Sequence, residues 1–284
     1  MTFNFSSRHA IARALLIIPA LAFARPAAAS PRPLPFTYPY ETLAKGETEL
    51  ELYSDLNPLR VLRDPLDPAQ GRLWGPQYIL QSEFEYGVTD HTELGFYQVF
   101  KADPENGGGN KMSFDGFKWR VRTRLFEADE LPVDVALYLE LETLHDELAL
   151  EEKILLQKRL GRLRLMANLW VEQELDRPFD RAGAGESKAL KFVVNPTFGG
   201  TYQITPVFHI GGEYWARGVY GPKGSDLDQR NEALHHFIGP VVHLNFGKLW
   251  WTSGLYANLN DSTKPQPGET YGPWWFRTVL GVDL

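Results

Sequence analysis

The run Phe117-Lys118-Trp119-Arg120-Val121-Arg122-Thr123-Arg124-Leu125 alternates a bulky or apolar side chain with a cation almost throughout. Successive side chains on a strand point to opposite faces, so this period of two predicts a strand with one apolar and one basic face. After the short polar stretch Glu127–Pro132, Val133–Glu142 repeats the alternation with Asp134, Glu140 and Glu142 on its polar face. A hairpin closed at that turn brings Lys118 and Arg120 opposite or diagonal to Glu140 and Glu142 in either register that keeps the faces. Solvated cross-strand ion pairs and charges enclosed within a lumen explain these two strands equally well.

The same alternation runs through most of the chain: Thr48–Tyr53, Tyr78–Tyr86, Glu93–Val99, Leu148–Gln157, Leu163–Val171, Leu190–Tyr202, Phe208–Ala216, Ile238–Phe246, Trp250–Leu259 and Trp274–Leu284. In Tyr78–Tyr86, for example, Gln81, Glu83 and Glu85 share the polar face. The connections alternate in length, except that the link near His145 is brief where a long one is due. Short ones lie near Val88–His91, Glu127–Pro132, Lys158–Arg162, Gln203–Pro206 and Gly247-Lys248, whereas Asn57–Gly75, Ala102–Lys111, Asp176–Ser187, Val219–Glu232 and Asn260–Gly272 are long and polar. Strands near the 9–11 residues a tilted membrane strand needs, with loops sorted this way, predict one closed antiparallel transmembrane β-barrel of about twelve strands. Its short turns and both termini are expected in the periplasm and its long loops outside. Trp250, Trp251, Trp274 and Trp275, near strand ends, are expected in interfacial aromatic girdles.

Residues 1–29 have the layout of a signal peptide: Arg8 and Arg13, the apolar run Ala14–Ala24, then Ala27-Ala28-Ala29. Cleavage is expected after Ala29, with Ala24 the alternative. Residues 30–45, with four prolines, read as an extended periplasmic lead-in, and 46–284 as the barrel. The formal charge of −7 falls to −10 once the three arginines of the leader are removed. An acidic exported chain without a basic patch argues against nucleic acid as a partner. With no cysteine, disulfides and thiolate metal sites are excluded.

On these facings Lys118, Arg120, Arg122 and Arg124 form a basic ladder in the lumen, between Glu93 on one side and Glu140 and Glu142 on the other. A register pairing Gly218 with Leu234 also pairs His209 with His243, both inward, on the face that carries Glu213. That pair reads either as two separately hydrogen-bonded histidines or as a pH- or metal-responsive constriction. No catalytic set emerges: His235-His236, with Ser225 and Asp228 in the preceding loop, has no spacing that fixes a nucleophile beside a base. Gly107-Gly108-Gly109 precedes a strand rather than a helix and reads as a loop tip. No cofactor and no metal centre is expected. The partners expected are outer-membrane lipid, a small-molecule solute, and the barrel-assembly machinery, whose signal the alternating C-terminal strand ending in Leu284 resembles. Two function classes follow: a channel or transporter for small solutes, or a closed structural or binding barrel, including one with an enzymatic rim site.

Thr42-Leu43-Ala44-Lys45-Gly46-Glu47-Thr48-Glu49-Leu50-Glu51 resembles the opening of outer-membrane barrels grouped with the phenol-degradation meta-pathway transporters. Tyr86–Gly95 is similar to their first turn, and Gly239-Pro240-Val241-Val242 before Gly247-Lys248-Leu249-Trp250 to a late one. The resemblance implies an outer-membrane barrel that transports small, aromatic or anionic solutes.

Overall fold

The computed structural model describes residues 31–62, 72–102, 111–145, 147–176, 190–220, 234–260 and 271–284. The expected signal peptide and most of each long loop, including Ser225, Asp228 and Gly107–Gly109, lie outside the described residues.

The alternating segments form β1 (Thr48–Leu62), β2 (Arg72–Gly87), β3 (Thr92–Ala102), β4 (Ser113–Arg124), β5 (Asp134–Leu144), β6 (Glu147–Leu160), β7 (Leu163–Asp176), β8 (Leu190–Val194), β9 (Thr197–Gln203), β10 (Phe208–Tyr220), β11 (His235–Asn245), β12 (Leu249–Asn258) and β13 (Trp274–Asp283). β8 and β9 are two halves of one stave. Both pair with β7 and with β10, and Asn195-Pro196 separates them because proline has no amide hydrogen for the ladder. Each stave is antiparallel to its neighbours, and β13 pairs with β1, from Glu49 opposite Asp283 to Leu56 opposite Phe276. The sheet is therefore a closed barrel of twelve staves with no free edge, the arrangement a bilayer demands of strands.

The period of two sorts the side chains as expected. Leu94, Trp119, Leu139, Leu141, Ile154, Leu169 and Phe198 stand exposed on the outer surface, while Glu51, Glu83, Arg120, Glu140, Lys153 and Glu172 are buried inside. The central hairpin takes the directly opposed register, Lys118 with Glu142 and Arg120 with Glu140. The tightest described turn joins β6 to β7 through Gly161, whose φ of 60° is left-handed and favours glycine.

Two expectations fail. Trp250 and Trp275 do not belong to an outer girdle. Adjacent residues on a strand cannot share a face, so each tryptophan pair is split, with Trp250 and Trp275 buried inside and Trp251 and Trp274 outside. The lead-in is not a periplasmic tail. Between residues 32 and 43 Arg32, Leu34, Phe36, Tyr38, Tyr40 and Leu43 are all buried, because this segment is threaded up the barrel from the rim where Gly46 donates to the Gly87 carbonyl.

Candidate functional site

The lumen wall is built from charge, and its organising residue is Arg120. Its Nη2 lies 2.7 Å from Glu83 and 2.5 Å from Glu85, and its Nη1 2.6 Å from Glu93, all four side chains being buried. Glu83 and Glu85 sit on β2, one stave beyond β3. Arg120 reaches them because the inward position between, opposite both Glu85 and Arg120, is Gly95. A Cβ there would stand 2.5 Å from the Glu83 carboxylate and 2.6 Å from Arg120 Nε. Arg122 joins the hub through Glu93 at 2.6 Å.

The ladder read from the sequence is thus three separate groups. Arg120 and Arg122 turn back toward β2 and β3. Lys118 turns the other way, to Glu142 at 2.9 Å and Glu140 at 3.3 Å. Arg124 leaves for the rim, where it contacts the Thr42 hydroxyl at 3.0 Å and Glu127 at 3.3 Å. Arg120 does not pair with Glu140 despite facing it, because Glu93 on β3 and the two carboxylates reached across the Gly95 gap offer three partners at once.

The plug is held through its backbone. Its prolines need no acceptor, and the amides between them find one on successive staves. Thr37 N donates to Glu213 at 2.5 Å and Phe36 N to the same carboxylate at 3.0 Å, while the Tyr256 hydroxyl donates to its other oxygen. Asn168 grips Tyr38 as a strand would, accepting from its N–H at 2.7 Å and donating to its carbonyl at 3.1 Å. Leu43 N donates to Glu93 at 2.7 Å, and Thr252 Oγ1 donates to the Arg32 carbonyl at 2.6 Å. Inward glycines make the space: a Cβ on Gly199 would lie 2.7 Å from Leu34 Cδ1. The Glu213 and Asn168 side chains and the glycine-rich staves β9 and β10 were the sequence signals of this seat, legible only once something was known to need them.

Above the plug a cavity of about 290 Å³ is floored by Arg32, Phe36 and Tyr38. One wall is aromatic: Phe36 stacks on Trp215 at 4.3 Å, Trp215 on Phe237 at 4.1 Å, and Trp275 stands edge-on to Trp215 at 5.1 Å. Arg277, clamped by Asp55 at 2.6 and 2.8 Å, lies over Phe36. The other wall carries Glu140, Glu142, Glu147, Glu151 and Glu172 with Lys118, Lys153 and Arg217 among them. Lys153 pairs with Glu151 and lies against the rings of Trp170, Tyr138 and Tyr38 at 3.8, 4.1 and 4.2 Å.

His209 and His243 are directly paired, with ring centroids 5.1 Å apart. His243 Nδ1 lies 2.7 Å from Thr252 Oγ1, whose single proton is committed to the Arg32 carbonyl, so the imidazole is the donor. Glu213 does not join them, being occupied by the plug. The constriction at this level is the plug and not the histidine pair.

The closed barrel and its apolar outer belt define the class: this is an outer-membrane β-barrel protein. Its fold is that of the crystal structure of an outer membrane channel from Pseudomonas putida F1, at a TM-score of 0.62 and 13% identity over 86% of this chain and 98% of that one. Looser overlays reach a bacterial polysaccharide outer membrane secretin (TM-score 0.44, 8% identity, 85% and 100% of the two chains) and the channel DcaP of Acinetobacter baumannii (0.32, 11%, 85% and 100%). No family model and no curated protein matches the sequence.

Proposed function

We propose that this barrel is a channel for small solutes, closed in the state seen here by its own segment 31–45. The observation that carries this is the union of a charged vestibule with a plug seated by hydrogen bonds and apolar contacts, none of them covalent. A barrel meant to stay solid has no use for a lumen wall this rich in ionised groups, since packed apolar side chains fill a small barrel at lower cost. The fold shared with an outer membrane channel and the resemblance to the phenol-degradation transporters support the same reading. Facing aromatic and charged walls suit a solute with a flat apolar part and a polar group.

The chain has no cysteine, so an engineered pair is clean. Leu34→Cys with Gly199→Cys joins two facing positions, plug to wall, since a Cβ at 199 would reach within 2.7 Å of the Leu34 side chain that the cysteine shortens. Oxidised protein in planar bilayers should be silent and reduced protein should show discrete steps. Equal conductance in both states would remove the gate, and silence in both would leave a closed binding barrel.

A further inference from the structure

Near the periplasmic end of the lumen, beside the seam where β1 meets β13, five buried carboxylates crowd together: Glu49, Glu51, Glu83, Glu85 and Glu93. Three guanidinium groups face them. Arg120 and Arg122 bind Glu83, Glu85 and Glu93, and Arg32 reaches the group through the Tyr53 hydroxyl at 2.8 Å. Two negative charges are left over, and Asp283, paired with Glu49 across the seam, adds another carboxylate at the rim. The shortage is visible in the hydrogen bonding as well. The Tyr53 hydroxyl lies against both Glu51 and Glu83, at 2.6 Å from the latter, yet it has one proton to give. Glu49 is wholly buried, and its Oε2 has no hydrogen-bond partner among the described residues.

Burying unmatched carboxylates is costly enough that something positive must accompany them. We infer that Glu49, Glu51 and Glu85 hold a divalent cation of calcium's size. One oxygen from each carboxylate lies within 4.8 Å of the others. Calcium takes several carboxylate oxygens in a flexible shell, whereas magnesium keeps most of its water and is held by one or two carboxylates. The ion's two charges equal the deficit among the five glutamates. The site is also braced from behind, as metal ligands commonly are. Trp250 Nε1 donates to Glu49 Oε1, which leaves Oε2 as the ligand atom. The indole lies flat where β13 carries Gly281, whose Cβ would fall 2.1 Å from it.

This indole supplies the test. The full-length protein, stripped with chelator and titrated with terbium, should show saturable emission on excitation of tryptophan, displaced by calcium at lower concentration than by magnesium. Glu49→Gln should weaken terbium binding by about tenfold or more. Trp250→Phe, which keeps the three carboxylates, should abolish the sensitised emission while terbium still binds, measured by equilibrium dialysis. Heat-modifiable mobility on gels verifies that each variant has closed its barrel. Absence of saturable binding, or emission that survives Trp250→Phe, would overturn the assignment; the first outcome means that protons balance the charge, the second that an ion sits elsewhere in the lumen.

Discussion

Arg120 concentrates more of the lumen's electrostatics than any other described side chain, since three carboxylates converge on it. Arg120→Ala leaves them buried and mutually repelling, and a loss on the order of 3–5 kcal/mol is expected, read as a lower thermal midpoint in detergent. Gly95→Ala attacks the same hub without touching a charge. Its added Cβ overlaps the Arg120 and Glu83 side chains, and overpacking of this kind costs about 1–3 kcal/mol. If Gly95→Ala proves neutral, Arg120 does not depend on that gap. The cations and Glu93, Glu140 and Glu142 were legible in the sequence because alternation alone places them inward. Glu83 and Glu85 were legible as inward residues but not as partners, because pattern reading pairs neighbouring strands. It has no means of seeing that a missing side chain lets an arginine reach past one.

Among the elements, the turn between β4 and β5 carries a pH dependence outside the membrane span. The Glu127 carboxyl takes a hydrogen bond from His91 Nε2 at 2.7 Å and lies near Arg124, and these hold it below the ordinary carboxylate range. A depressed folded value means that the contact stabilises above the unfolded pKa and is lost as pH falls through the folded one. Glu127→Gln should therefore reduce the steepness of acid unfolding and leave stability changes at neutral pH small, as exposed pairs generally do. An unchanged acid limb would show that the contact is not populated. The staves themselves were readable almost entirely, register of the histidine pair included, because a two-residue period admits few alternatives. The lead-in was not. Its prolines and alternating aromatics describe an extended chain, and an extended chain outside a barrel reads the same as one inside it.

At the scale of the whole molecule, orientation follows from the sorting of connections: short turns at the end where the plug enters, and long ones at the other except for the two-residue link between β5 and β6. A cysteine introduced at Asp129, in the β4–β5 turn, should escape a membrane-impermeant maleimide on intact cells, and one introduced at Gly108 should react. The opposite pattern would invert the barrel. Barrel closure and its apolar belt were predictable because a bilayer leaves strands no other arrangement. Seating of the plug depends on residues as far apart as Thr37 and Glu213, or Arg32 and Thr252, and no local pattern records such a contact.

That long reach also leads to an expected order of events in assembly. The plug leads directly into β1, yet its acceptors Glu213 and Thr252 lie on β10 and β12, and the cylinder is not complete until β13 zips to β1. The plug's partners are already in reach as those strands are laid down, so the late staves are expected to wrap around it as they arrive. The segment then serves as a mandrel, presenting amides to the Glu93 and Glu213 carboxylates of the staves that close around it. Contacts this distant in sequence make closure the slow step. A barrel whose plug lacks the Tyr38 and Leu43 side chains should mature more slowly than it unfolds differently, and pulse-labelled cells would reveal it as a lingering unclosed form.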